Sequence, residues 1–408
     1  MRLTRITNSL LRVFAAGCIF LSGIPLPADS AASAAERSDK TVTTQAKGAA
    51  LIDVQSGRIL YSQNGDKPML IASLTKIMTA IVAIEHGHLN DMVETSIRAA
   101  GKEGSSIYLQ RGEKMSLLNM LYGLMLRSGN DAATAIAEHV GGSEEGFVHL
   151  MNEEAQMLGL ENTQFMNPSG LDAPGHYSSA NDLAKLTAYA LKNPVFKEIV
   201  KTKSKTAPNP NDQWDYLWKN KNKMLTMYEG ADGVKTGYTK KSLRCLVSSA
   251  TRDGQQLVAV TLNDSDDWND HQKMLNFGFA NYHLSEIAHK GQPINGYPLV
   301  VGRTLVYPFA EGEKEQLRSK LNLINANTTD YLLGERGTID WFVGETKIGS
   351  TPVYDPQSER INQPDKPSWV IGGDSSKPAF GALSSDTFWH AFKTTFKALF
   401  GGKEAAGW

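Results

Sequence analysis

The chain has 408 residues, 41% hydrophobic and 21% charged, with a formal net charge of −1. That length allows two or three domains with a sizeable core. The near-neutral balance excludes the basic surface that nucleic-acid binding requires.

Residues 1–35 read as an export signal rather than as part of the fold. Arg2, Arg5 and Arg12 form a basic lead, VFAAGCIFLSGI is an apolar run, and ASAA (32–35) offers a small-residue cleavage site. Cleavage would leave residues 36–408 with a net charge of −3. Of the two cysteines, Cys18 departs with the signal. Cys245 sits in the strand-like run RCLVSSA, where a small buried side chain is expected. No later stretch is long and apolar enough to span a membrane.

After a polar lead-in, GAALIDVQSGRILYSQNG (48–65) reads as two strands joined by a turn at Gln55-Ser56-Gly57-Arg58. A mostly helical region follows over 69–200, clearest at 73–86, 116–127, 131–140, 144–158 and 180–192. DGVKTGYT then reads as a strand, and LRCLVSSA with LVAVTLND as a hairpin around Asp253-Gly254. One antiparallel sheet built from both ends of this region, with the helical block inserted, satisfies the order. Beyond about 290, YPLVVGRTLVYPF, KLNLINA and GTIDWFVGETKIGSTPVY are strand-like with Gly and Pro punctuation. A Pro/Gly/Ser-rich linker runs over 363–384. The last pattern, DTFWHAFKTTFKALF, repeats Phe388, Phe392, Phe396 and Phe400 every four residues beside Trp389 and Leu399. As a helix it gathers these six into an arc of roughly 120° flanked by lysines, which suits a membrane interface. The implied division is 1–35 signal, 36–288 a main domain of sheet and helices, 289–384 β-rich domain and linker, and 385–408 anchor helix and tail.

IASLTKIMTA (71–80) places Ser73 and Lys76 one helical turn apart in an otherwise apolar run. Lysine is almost never fully buried unless something satisfies it. RSGND (127–131) lies where two helical patterns meet, which puts Ser128 and Asn130 on a tight turn. KTG (235–237) falls on the strand that opens the second hairpin. SSAND (178–182) repeats the Ser-x-Asn pattern at Ser179 and Asn181, but it opens a helix and a capping role explains it.

Ser-x-x-Lys, Ser-x-Asn and Lys-Thr-Gly together resemble the signature of penicillin-binding proteins and class A β-lactamases. Through these motifs, and through YGLMLRSGNDAATAIAEHVGG, NPSGLD and GVKTGYT, the chain resembles the low-molecular-mass penicillin-binding proteins that act as serine D-Ala-D-Ala carboxypeptidases. Within that family it looks nearest to the sporulation-type members of endospore-forming bacteria. The resemblance implies an α/β (α+β) fold: a β-lactamase/transpeptidase-like domain, a small β-rich domain and a C-terminal amphipathic helix. It implies an exported enzyme at the outer face of the cytoplasmic membrane, acting on peptidoglycan stem peptides and covalently inhibited by β-lactam antibiotics.

The chemistry agrees with the resemblance. A serine hydroxyl needs a base to become a nucleophile, and Lys76 can serve if burial and a neighbouring cation such as Lys235 lower its pKa. Ser128 can relay a proton to the leaving amine, and Asn130 can hold a substrate amide and Lys76. Lys235 and Thr236 suit a terminal carboxylate, and Gly237 lets substrate lie along the strand edge. By resemblance, the N–H groups of Ser73 and Tyr238 form the oxyanion hole. NDSDDWNDHQKM lacks the Arg that some relatives place after Lys-Thr-Gly, and His271 there reads as an ordinary surface histidine. KTKSK (201–205) and KNKNK (219–223) read as solvated loops. The nine histidines show no metal-ligand spacing, so neither metal nor cofactor is expected. Two rivals are a β-lactamase and a non-catalytic penicillin sensor or scaffold. The first lacks a Glu with Asn four residues on between 138 and 234, and the second would not need the proton-transfer set.

Overall fold

The computed structural model describes residues 41–362. The signal segment, the linker over 363–384 and the C-terminal helix expected from the sequence lie outside those residues. A five-stranded antiparallel sheet positions everything else. Its strands are β1 (Gly48–Asp53), β2 (Ile59–Gln63), β3 (Ala231–Thr239), β4 (Leu243–Arg252) and β5 (Gln255–Leu262), in the order β2-β1-β5-β4-β3. The two ends of the region meet at the β1–β5 pairing, where Leu51 faces Ala259. The second hairpin turns on Asp253 and Gly254, with φ of 49° and 81°. Two successive positive-φ residues match the right-handed twist of the flanking strands.

Alternate residues of the central strands serve two cores. Ala50, Ile52, Val258 and Val260 pack against the inserted helices, while Ala49, Leu51, Leu257 and Ala259 pack against the helix Asp267–Asn281. Both faces of β1 and β5 are therefore buried, which explains their nearly unbroken apolar sequences. Among the inserted helices, α1 (Lys76–His86) is buried over its first eight residues. The others include Leu117–Tyr122, Asn130–Gly141, Glu144–Met157, Ala180–Ala190 and Pro194–Lys201.

Two segments depart from regular helix. The helix expected over 73–86 begins as a 3₁₀ turn, Ala72–Thr75, with Ala72 at φ 46°. The helix expected over 116–127 ends in a wide π-type turn, Gly123–Arg127, closed by Ser128 at φ 66°. Both irregularities sit at the motif serines.

After the helix Asp267–Asn281, strand His283–Ala288 pairs with Leu305–Phe309, so pairing runs across residue 288. Val300–Val301, Thr346–Tyr354, Gly337–Val343 and Leu317–Leu323 form a further four-stranded antiparallel sheet. Ala288, Leu299, Val301, Leu305, Ile339 and Val353 form its separate apolar cluster. Arg58, on the first hairpin, donates to both carboxylate oxygens of Glu313 and lies over the rings of Tyr282 and Tyr307.

Candidate active site

The site is assembled where the amino end of α1 meets the edge strand β3. Ser73 lies in the 3₁₀ turn and Lys76 opens α1, so the two side chains share a face one turn apart. Of residues 71–80, Ser73 alone is not buried. Lys76 is 0% exposed. Its Nζ donates to Asn130 Oδ1 at 2.7 Å and to the Ser169 carbonyl at 2.5 Å, and lies 3.2 Å from Ser73 Oγ. The first two partners only accept. A neutral amine would give its two hydrogens to them and turn its lone pair to the Ser73 hydroxyl, whereas an ammonium would donate to all three oxygens. Burial, then the positive charges of Lys235 and Lys221, hold the Lys76 pKa well below the ordinary lysine range. Burial and the neighbouring positive charges therefore favour the base form.

Asn130 is fixed from two sides. Its Nδ2 donates to the Glu103 carbonyl at 2.7 Å, which leaves Oδ1 aimed at Lys76. Its backbone N–H donates to Ser105 O at 2.7 Å. The next residue, Asp131, is buried and accepts from the N–H groups of Ile107 and Leu109 and the hydroxyl of Ser106. The carboxylate thus ties segment 106–109 to the helix Asn130–Gly141. Ser128 is buried on the same turn in the left-handed region, a conformation that persists only where surroundings enforce it. Among the described residues it makes no hydrogen bond to the Lys76 network.

From the other side, β3 brings Lys235, 2% exposed, with Nζ donating to Thr236 O at 2.8 Å. Burial, then the charge of Lys221, push Lys235 down to about 7. Gly237 suits a close approach: a Cβ there would stand a tight 3.2 Å from both Ile71 O and Ser73 N. The absent side chain thus lets β3 lie against the backbone of the Ser73 turn, in addition to leaving the strand edge clear. Thr236 is half-buried and Tyr238 is exposed, at the outer edge of the sheet. Ser73, Lys76 and Asn130 are in direct contact, Lys235 acts on them through its charge, and Ser128 and Gly237 flank them.

Sequence reasoning missed Lys221, Ser169 and His176. The run 219–223 has its three lysines exposed, as the sequence suggests, but it flanks the site. Tyr216–Lys219 pairs with Ser204–Ala207, Asn222 is buried, and Lys221 reaches Ser105 Oγ at 3.4 Å while acting on both site lysines. The reading of His271 as a surface residue also fails. It is 0% exposed, bonded to Ser248 Oγ at 2.5 Å and Thr261 Oγ1 at 3.1 Å, and burial pushes its pKa down to about 3. Its spacing to Met274, Leu275 and Gly278, which share its buried helix face, was the available signal. Ser179 caps its helix through the Asp182 N–H at 3.2 Å, as expected from the sequence. Cys245 is a buried free thiol pushed up to about 11 by burial. Among the described residues, no group of three His, Cys, Asp or Glu side chains could hold a metal ion. An open groove of about 310 Å³, lined by Tyr108, Arg127, Tyr216, Leu217 and Lys219 among others, flanks the Ser128 turn without including Ser73.

Residues 32–266 match the family model of the D-alanyl-D-alanine carboxypeptidases, peptidase family S11. The chain belongs to that family. It is 39% identical over 258 residues to the D-alanyl-D-alanine carboxypeptidase DacF of Bacillus subtilis, a match covering 61% of this chain and 66% of that protein. It is 36% identical over 287 residues to DacC of Escherichia coli, covering 67% and 70% respectively. These matches span about two thirds of the relatives' length. Among solved structures, penicillin-binding protein 5 of Haemophilus influenzae superposes with a TM-score of 0.65 at 29% identity, over 77% of this chain and 97% of that one. The mixed α/β architecture with antiparallel sheets is thus that of the family, whose members are serine-type peptidases.

Proposed function

We propose that this protein is a serine D-Ala-D-Ala carboxypeptidase that removes the terminal D-alanine of peptidoglycan pentapeptides. The carrying observation is the buried Lys76 amine, 3.2 Å from Ser73 Oγ and held in place by Asn130 Oδ1 and the Ser169 carbonyl. In this reading Lys76 takes the Ser73 proton as Oγ attacks the penultimate carbonyl carbon. The Ser73 and Tyr238 N–H groups stabilise the developing oxyanion. The C–N bond then breaks, and the leaving D-alanine amine receives its proton through Ser128. Water, activated by Lys76, releases the peptide from Ser73. Lys235, Thr236 and the unanticipated Lys221 supply the positive and hydroxyl groups that suit the substrate's carboxylate, while Asn130 and Gly237 guide the peptide along the β3 edge.

The same acyl-enzyme route accounts for covalent capture of β-lactams, which makes this chain a penicillin-binding protein. The further assignments are an exported enzyme, a β-rich domain over 289–384, an anchor helix over 385–408 on the outer face of the membrane, and a role in cell wall or spore cortex. These rest on the sequence patterns and on likeness to the relatives. Incubation of the purified protein with a pentapeptide ending in D-Ala-D-Ala should release free D-alanine. Absence of D-alanine from a folded, penicillin-reactive preparation would reject the carboxypeptidase assignment.

A further inference from the structure

His176 lies outside the three motifs, 2% exposed, with its ring edge-on to Phe165. Its Nδ1 accepts the Met166 N–H at 3.0 Å. A nitrogen that accepts an N–H carries no proton, so the hydrogen of the neutral ring is on Nε2. Nε2 is 2.8 Å from Thr75 Oγ1 and donates to it. Thr75 Oγ1 in turn donates to the Ala72 carbonyl at 2.9 Å. Burial holds the imidazole neutral, with its pKa pushed down to about 4.

Both ends of this relay reach groups assigned to the reaction. The Ala72 carbonyl and the Ser73 N–H belong to one peptide unit, so anchoring the oxygen aims the N–H assigned to the oxyanion hole. Ala72 is a non-glycine residue at φ 46°, a conformation that needs external enforcement. At the other end, Met166 begins the loop whose Ser169 carbonyl accepts from Lys76. That loop presses on the same peptide: Gly170 has φ 80°, and a Cβ there would stand 1.9 Å from Ala72 O. We propose that His176 is a positioning residue that fixes the oxyanion-hole peptide and the Lys76 carbonyl partner with one ring. The inference rests on the reading of Ser73 as the acylated nucleophile.

The test compares acylation of the full chain by a fluorescent penicillin in wild type, His176→Phe, His176→Gln, Thr75→Val and the His176→Phe/Thr75→Val double variant. Phe keeps the ring and loses both bonds, Gln keeps one acceptor and one donor, and Val cuts the relay at the hydroxyl. His176→Phe and Thr75→Val should each slow the acylation step by about 10- to 100-fold, as misdirecting an oxyanion donor does. The penicillin concentration for half-saturation should stay within about threefold, because ground-state binding is untouched. The double variant should be no slower than the slower single one, and His176→Gln should recover most of the rate. Wild-type acylation by a folded His176→Phe protein overturns the proposal, as do multiplicative effects in the double variant or a defect confined to half-saturation. If His176→Phe does not unfold cooperatively, Thr75→Val and His176→Gln decide: a slow Val variant and a fast Gln variant support the relay, and any other pairing rejects it. Ser73→Ala run alongside separates the two ideas, since labelling of that variant would instead remove the nucleophile assignment.

Discussion

Ser-x-Asn opens two helices among the described residues, at Ser128 and at Ser179, and the two do different work. At Ser179 the serine is in extended geometry and its side chain caps a helix through the Asp182 N–H. Asn181 there accepts from Ser62 Oγ at 3.1 Å and donates to Asp66 at 2.9 Å, tying the helix to the first hairpin. At Ser128 the serine is left-handed and its side chain caps no helix, and Asn130 points into the protein at a buried lysine. The pattern alone thus does not define a site. What separates the two is the neighbour that the fold supplies, a hairpin in one case and an amine of suppressed basicity in the other.

The sharpest way to break this contrast is to remove the amine's basicity while keeping its charge. Lys76→Arg should fold and yet lose acylation by on the order of 10⁴ or more, because guanidinium does not deprotonate at working pH. Near-normal penicillin labelling of that variant would move the base elsewhere. Ser128→Ala should lower turnover of a D-Ala-D-Ala peptide by about 10²–10⁴-fold, the usual range for losing a proton-transfer group. Its unfolding midpoint should shift little, since the Ser128 hydroxyl makes no hydrogen bond among the described residues and the backbone bond to Gly123 O is kept. Ser179→Ala should behave in the opposite way. Loss of the cap should cost about 1 kcal/mol in denaturant unfolding, with D-alanine release unchanged. An activity loss at Ser179 matching that at Ser128 would erase the distinction.

A smaller test contrasts Lys76 with a buried ionisable group outside the site. Glu154, 3% exposed, is raised to about 7 by burial and by the charge of Glu85. Its folded-state pKa lies above the unfolded one, so ionisation is disfavoured in the fold. The penalty is full above about pH 7 and disappears below the ordinary carboxylate value of 4.5. Glu154→Gln should therefore stabilise by on the order of 3 kcal/mol at pH 8 and by almost nothing at pH 4, with acylation unaffected at either. A pH-independent gain would point to packing instead.

Much of the fold was legible because it rests on local patterns. The apolar runs of β1 and β5 between turn signals, the Asp253-Gly254 turn and the apolar periodicity of the helices led to the correct sheet, including its closure from both ends. The motif residues were legible because Ser-x-x-Lys in an apolar helix is chemically anomalous. What remained hidden depends on pairing across the chain. Ser169 acts through its carbonyl, for which a side-chain motif carries no sign. Lys221 sits in a run that looks solvated, and its effect on Lys76 and Lys235 arises only once the strand Tyr216–Lys219 delivers it to the site. His271 looked like a surface residue because its aspartate-rich helix start masked the apolar face. The left-handed Ala72 and Ser128 were invisible because nothing in either residue type favours that conformation.

The central claim is that Ser73 is the nucleophile served by Lys76. Its most direct test is the intact mass and peptide map of the protein after exposure to benzylpenicillin, for wild type and Ser73→Ala. Wild type should gain one penicilloyl group, on the peptide containing Ser73, and Ser73→Ala should gain none. An adduct on another residue of the wild type, or an equal adduct on Ser73→Ala, would contradict the account.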